Sequence, residues 1–72
     1  MKKFQSSAPS VGALVVYAGR YWVVVAHWPD QRLYLRAPGW EHSLGWHGWD
    51  GYGNPLQVAT VVRLGDGLLY PA

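Results

Sequence analysis

The 72-residue chain has no cysteine. Disulfides and thiolate metal centres are therefore excluded, and so is the usual framework of a small secreted domain. Charge is also scarce. Charged residues make up 14% of the chain, against about 25% in ordinary domains. Six Lys and Arg oppose four Asp and Glu, for a formal net charge of +2. Strong nucleic-acid binders usually carry a more basic balance, and four acids leave little material for a catalytic carboxylate pair. Long apolar runs are missing too. The longest, Tyr21 to Ala26, falls far short of the roughly 20 residues that span a bilayer. The opening MKKFQSSAPS has the lysines of a signal peptide, without the apolar stretch of about 7–15 residues that follows them in one. These absences set the expectation of a cytoplasmic protein with no membrane contact.

Apolar and aromatic residues are abundant by contrast. Half the chain is hydrophobic, with five Trp, five Tyr and nine Gly. A domain of this length buries only about 60% of the surface its unfolded chain exposes. So much apolar material exceeds what a small core hides. Part of it is expected to meet another copy, a partner protein or a ligand.

The hydrophobic pattern is that of short strands. Residues 1–10 are polar and read as a flexible tail, followed by one domain over 11–72. Val11 to Tyr17 and Tyr21 to Trp28 flank Ala18-Gly19-Arg20 and read as a β-hairpin. Both runs are apolar on both faces, which suits a barrel or a sandwiched sheet. Pro29-Asp30-Gln31 makes the next turn. Arg32 to Arg36 then alternates, with Leu33 and Leu35 on one side and Arg32, Tyr34 and Arg36 on the other. Residues 38–55 show neither strand nor helix pattern, and a loop that long is usually functional or internally packed. Leu56 to Leu64 reads as a fourth strand. After Gly65-Asp66-Gly67, Leu68 to Tyr70 adds a short fifth. Gly and Pro break every helical window, so the expected fold class is all-β with four to five antiparallel strands.

"VGALVVYAGRYWVVVAHWPDQRLYLRAP" followed by "LQVATVVRLGDGLLY" resembles SH3-like barrels of the Tudor, KOW and chromo-like kind. The resemblance is carried by Gly12, Leu14 to Tyr17, Gly19, Trp22, and Leu33 with Leu35. It lies at fold level, spans roughly residues 11–70, and the Trp-rich loop departs from it. It implies a small closed barrel. Such domains are common in phage and plasmid proteins, which implies that kind of source. One SH3-like family, type II dihydrofolate reductase, is a short-chain tetramer with a pore lined by Val-Gln-Ile-Tyr. Leu56-Gln57-Val58-Ala59 is the nearest stretch here and lacks the tyrosine, so an oligomeric enzyme is a remote alternative.

Chemistry-bearing residues are few. Glu41, His42, His47 and Asp50 share the long loop, but the two His lie on a Gly-rich backbone with no third fixed ligand, so no metal is expected. Of the four serines, Ser6, Ser7 and Ser10 fall in the tail. Ser43 has only its neighbour His42, and sequence adjacency does not make a triad. No phosphate-cradling motif occurs. We therefore expect no catalytic residue and no cofactor.

Two features point to binding. Arg32, Tyr34 and Arg36 alternate onto one strand face, where a ring between guanidiniums can stack a base while the charges meet phosphates. Arg20 and Arg63 extend that patch if their strands adjoin it. In the loop, "GWHGWDGYG" repeats Gly-aromatic every third residue, a period shared by polyproline-like and 3₁₀ conformations. Trp40, Trp46, Trp49 and Tyr52 then share a side, either as a recognition platform or as a cover over the barrel's open end. We expect at least two of these rings to pack, Trp46 among them, and Trp49 to stay partly exposed. Trp and Tyr are favoured interface hot spots. The expected function is a non-enzymatic module that binds protein, either a partner or a second copy. Nucleic-acid binding through Arg32, Tyr34, Arg36 and the loop aromatics is the alternative.

Overall fold

Strand pairing starts from a two-residue turn. In the computed structural model, which describes residues 8–72, β1 (Leu14–Tyr17) and β2 (Arg20–Trp28) pair antiparallel around Ala18-Gly19. Both turn residues have positive φ, 52° and 79°. A type I′ hairpin turn needs that combination, because its twist matches the strands it joins. Of the tail expected over residues 1–10, residues 1–7 lie outside the described residues.

β3 (Arg32–Arg36) returns antiparallel along β2 after Pro29-Asp30-Gln31, whose last two residues are also left-handed. The chain next forms β4 (His47–Trp49) and β5 (Pro55–Gln57), which among the described residues pair only with each other. β6 (Ala59–Arg63) then pairs with β3, and β7 (Leu69–Pro71) with β1. The large sheet has the order β6-β3-β2-β1-β7, with β6 and β7 at its edges. The fold is all-β, with no helix among the described residues.

Three local expectations are corrected. The 38–55 stretch is not wholly irregular, since it contains β4 and the start of β5. Its three-residue Gly-aromatic repeat is not one polyproline-like or 3₁₀ run, because Gly45 has a positive φ of 84°, Gly48 and Trp49 pair in a β-ladder and Gly51-Tyr52 form a turn. Leu56 to Leu64 is not one strand. It breaks at Val58, where the chain passes from one sheet to the other: the Val58 N–H bonds the Trp46 carbonyl at 2.8 Å beside β4, and the Val58 carbonyl accepts from the Ala37 N–H at 2.9 Å beside β3.

The core lies on one face of the large sheet. Val15 stands opposite Trp22 and Val24 opposite Leu35, and all four are buried. Leu33, Ala37, Val58, Val62 and Leu69 complete the cluster, while Tyr17, Trp40, Leu56 and Leu64 pack around it. Each fully buried aliphatic side chain contributes about 1.5–3 kcal/mol. The β4–β5 hairpin is fastened to this body by Leu56, and by Arg20 Nη2, which donates to the Gln57 carbonyl at 2.9 Å.

A β-bulge in β2 decides which side chains reach the other face. Val24 pairs with Leu35, but Ala26, not Val25, pairs with Tyr34. The extra residue reverses the alternation beyond it. Trp22 and Val24 point into the core, whereas Ala26 and Trp28 point out.

Candidate functional site

The outer face of β2, β3 and β6 carries three cross-strand rows. The first is Trp28, Arg32 and Arg63; the second is Ala26, Tyr34 and Val61; the third is Val23, Arg36 and Ala59. Directly paired residues share a face and lie within side-chain reach. Alternation had placed Arg32, Tyr34 and Arg36 together, and the register puts them on three successive rows of this one face. Arg63 joins them. Arg20 does not, because its guanidinium lies 4.4 Å from the ring centroid of the core residue Trp22.

Tyr34 sits at the centre of an aromatic row. Trp28 lies 5.3 Å away between ring centroids and Trp46 lies 5.6 Å away, tilted by 39° and 36°. Aromatic pairs prefer such offset, inclined contacts, each worth about 0.5–1.5 kcal/mol beyond area burial. Tyr34 is half-buried between the two indoles. Trp28 remains 36% exposed and Trp46 45% exposed. The outcome is a ridge of two half-open indoles braced on one phenol. Trp28 was absent from the residues expected here. The signal was nonetheless in the chain, because Trp28 and Arg32 flank the turn Pro29-Asp30-Gln31 and so face each other across the hairpin.

The arginines of this face differ in what they can still bind. Arg32 Nε donates to the Pro29 carbonyl at 2.9 Å, and its guanidinium lies 5.8 Å from the Trp28 ring centroid. Arg63 is exposed. Arg36 is only 3% exposed. Its Nε donates to the Trp40 carbonyl at 2.6 Å and its Nη1 to the Tyr34 hydroxyl at 2.7 Å, while Nη2 is buried with no hydrogen-bond partner among the described residues. Both partners are neutral. The segment after β3 thus covers the third row, and Arg36 braces the ridge from behind instead of facing solvent.

The loop aromatics part company. Trp40 is half-buried, packed on the core and laid over Gly48. Trp46 joins Tyr34. Trp49, 66% exposed, and Tyr52, 92% exposed, project from the β4–β5 hairpin. Trp49 stands opposite Pro55, and Tyr52 lies in the turn that Asp50 organises. Asp50 Oδ1 accepts from the backbone N–H of Tyr52 at 2.8 Å and of Asn54 at 2.9 Å. The bonds from Asn54 and Tyr52 hold the Asp50 carboxyl below its ordinary value by favouring the charged form. Among the described residues no three His, Asp or Glu side chains come together as a metal site. No described helix is long and apolar enough to cross a membrane. Compared with known proteins, the chain matches no family model, no curated protein and no solved structure.

Proposed function

We propose that this chain is a non-enzymatic, cytoplasmic module that binds protein through the Trp28–Tyr34–Trp46 ridge. The single observation that carries the reading is the bracing of two half-exposed indoles on one tyrosine. Rigid, partly exposed Trp and Tyr supply much apolar contact at little ordering cost, which is why they dominate protein-binding hot spots. A base-stacking role for Tyr34 is less well supported. Its ring already contacts two indoles, and Arg36 is buried behind it, leaving Arg32 and Arg63 as the face's open cations. We also read the scaffold as SH3-like. The antiparallel succession β1, β2, β3, β6, with the last strand returned to β1, supports that reading, and β4–β5 then counts as an insertion before β6.

The test is photo-crosslinking. A benzophenone side chain in place of Trp46 should give protein adducts in an extract of the source cell. The same group in place of Leu68, exposed at the β7 end of the sheet, should not. Adducts made of nucleic acid, equal adducts from both positions, or none at all would reject the reading.

A further inference from the structure

The ridge lies on a face whose strand rows carry arginines and no acid. Its three rows hold Arg32, Arg36 and Arg63 beside Trp28, Ala26, Tyr34, Val61, Val23 and Ala59. Three of the chain's four arginines are therefore in these rows and none of its four acids is, the nearest to the third row being Glu41, which lines an open groove with Val23. Asp30 and Asp66 lie at the end of the face, where they line an open groove with Arg63. Asp66 Oδ1 is engaged by the Leu68 N–H at 2.9 Å. Arg32 is the cation set best for an incoming group. Its Nε is anchored on Pro29 and its guanidinium carbon stands 5.8 Å from the Trp28 ring centroid, while its Nη groups make no hydrogen bond to a described residue.

Arg36 adds a second reason. Arg36, 3% exposed, is held among the described residues by a carbonyl and a phenol and by no carboxylate. Removing a charge from water without an opposite partner is costly. A buried charge is also poorly screened, so its field reaches the surface above it. That surface is Tyr34, whose ring centroid is 6.0 Å from Arg36 Cζ. Two copies docked ridge to ridge would oppose arginine to arginine, so charge disfavours a second copy as the occupant.

We propose that the ridge takes an acidic protein segment, in which carboxylates flank an apolar side chain. The apolar side chain seats on Trp28 and Trp46. The carboxylates meet Arg32 first and Arg63 second, over the field of Arg36. This inference rests on the protein-binding reading above and narrows it to one partner chemistry.

The experiment is a ¹⁵N NMR titration of the full chain with two blocked hexapeptides, Glu-Glu-Leu-Leu-Glu-Glu and its counterpart with lysine in place of glutamate. The acidic peptide should move the indole N–H signals of Trp28 and Trp46 and the Nε–H signal of Arg32, and the lysine peptide should not. Added salt should weaken the effect. Arg32→Gln should weaken acidic-peptide binding roughly twofold to fivefold, the range for a partly exposed ion pair. Arg63→Gln, at a more exposed position, gives the same reading if the first variant fails to fold. Equal shifts from both peptides, or none from either, would overturn the proposal. So would an oligothymidylate that displaces the acidic peptide with a steep salt dependence. Crosslinking at position 46 separates the two levels. Protein adducts with both peptides silent retire the acidic segment and keep the binding face, whereas no adducts retire both.

Discussion

The indole of Trp40 lies against the bare Cα of Gly48, and a methyl group there would overlap the six-membered ring. Glycine is needed here for space, since its φ is not among the positive ones. Gly48→Ala should therefore lose about 1–3 kcal/mol, the usual effect of overpacking. Gly51, which has nothing within 4 Å of a built Cβ and no positive φ, is the control. There, the change to Ala should be neutral or stabilise by about 0.4–1 kcal/mol through the unfolded chain. Thermal melts of the two variants settle the matter. Equal melting points would show that Trp40 does not press on the hairpin.

Ala18 occupies a position that suits asparagine better. Its φ of 52° is left-handed, a region that costs an ordinary L-residue roughly 1–2 kcal/mol. Asn-Gly is the preferred pair for a type I′ turn. Ala18→Asn should stabilise by about 1 kcal/mol, which for a domain this small raises Tm by roughly 4–8 °C. A lower Tm would mean that the β1–β2 connection is a different turn.

Turn chemistry made the first two hairpins legible. Ala18-Gly19 and Pro29-Asp30-Gln31 punctuate the chain where β2 begins and ends. Leu33 and Leu35 alternate cleanly into the core. The bulge at Val25 was not legible, because Val23, Val24 and Val25 read alike and only pairing with β3 shows which is extra. β4 and β5 were hidden by their length of three residues and by the Gly and Pro within them. The burial of Arg36 follows from where a distant segment folds, which strand periodicity cannot report. For the candidate site, alternation placed Arg32 and Tyr34 together. The role of Trp28 required counting across the turn.

The Asp50 turn should be acid-sensitive. Its carboxyl is held below the ordinary value of 3.8, chiefly by the Asn54 N–H and then by that of Tyr52. A folded-state value below the unfolded one gives a stabilising contribution that is fully present above the unfolded value. It is lost as pH falls through the folded value. The turn should thus be intact at neutral pH and loosen below about pH 4. Hydrogen exchange at the Tyr52 and Asn54 amides, compared between wild type and Asp50→Ala, measures this. The variant should show weak protection at both amides at neutral pH. Equal protection in the two proteins would mean that the carboxylate does not organise the turn.

The bulge makes an unusual deletion informative. In a regular strand, removing one residue moves every side chain beyond it to the opposite face. Here Val25 is the extra residue between the Val24–Leu35 and Ala26–Tyr34 pairs. Deleting it should join those pairs into a continuous ladder and leave Trp28 on the outer face. The deletion variant should fold and keep contacts between the Trp28 and Tyr34 rings, read as nuclear Overhauser effects. The half-buried Val25 side chain is lost and the local twist relaxes, so a drop of about 1 kcal/mol, or roughly 4–8 °C in Tm, is expected. Deleting His27 is the contrast. It lies beyond the bulge, opposite Leu33, and its loss should drive Trp28 toward the core face and break the ridge. If the Val25 deletion unfolds the chain while the His27 deletion is tolerated, the extra residue lies elsewhere and Trp28 does not belong with Tyr34.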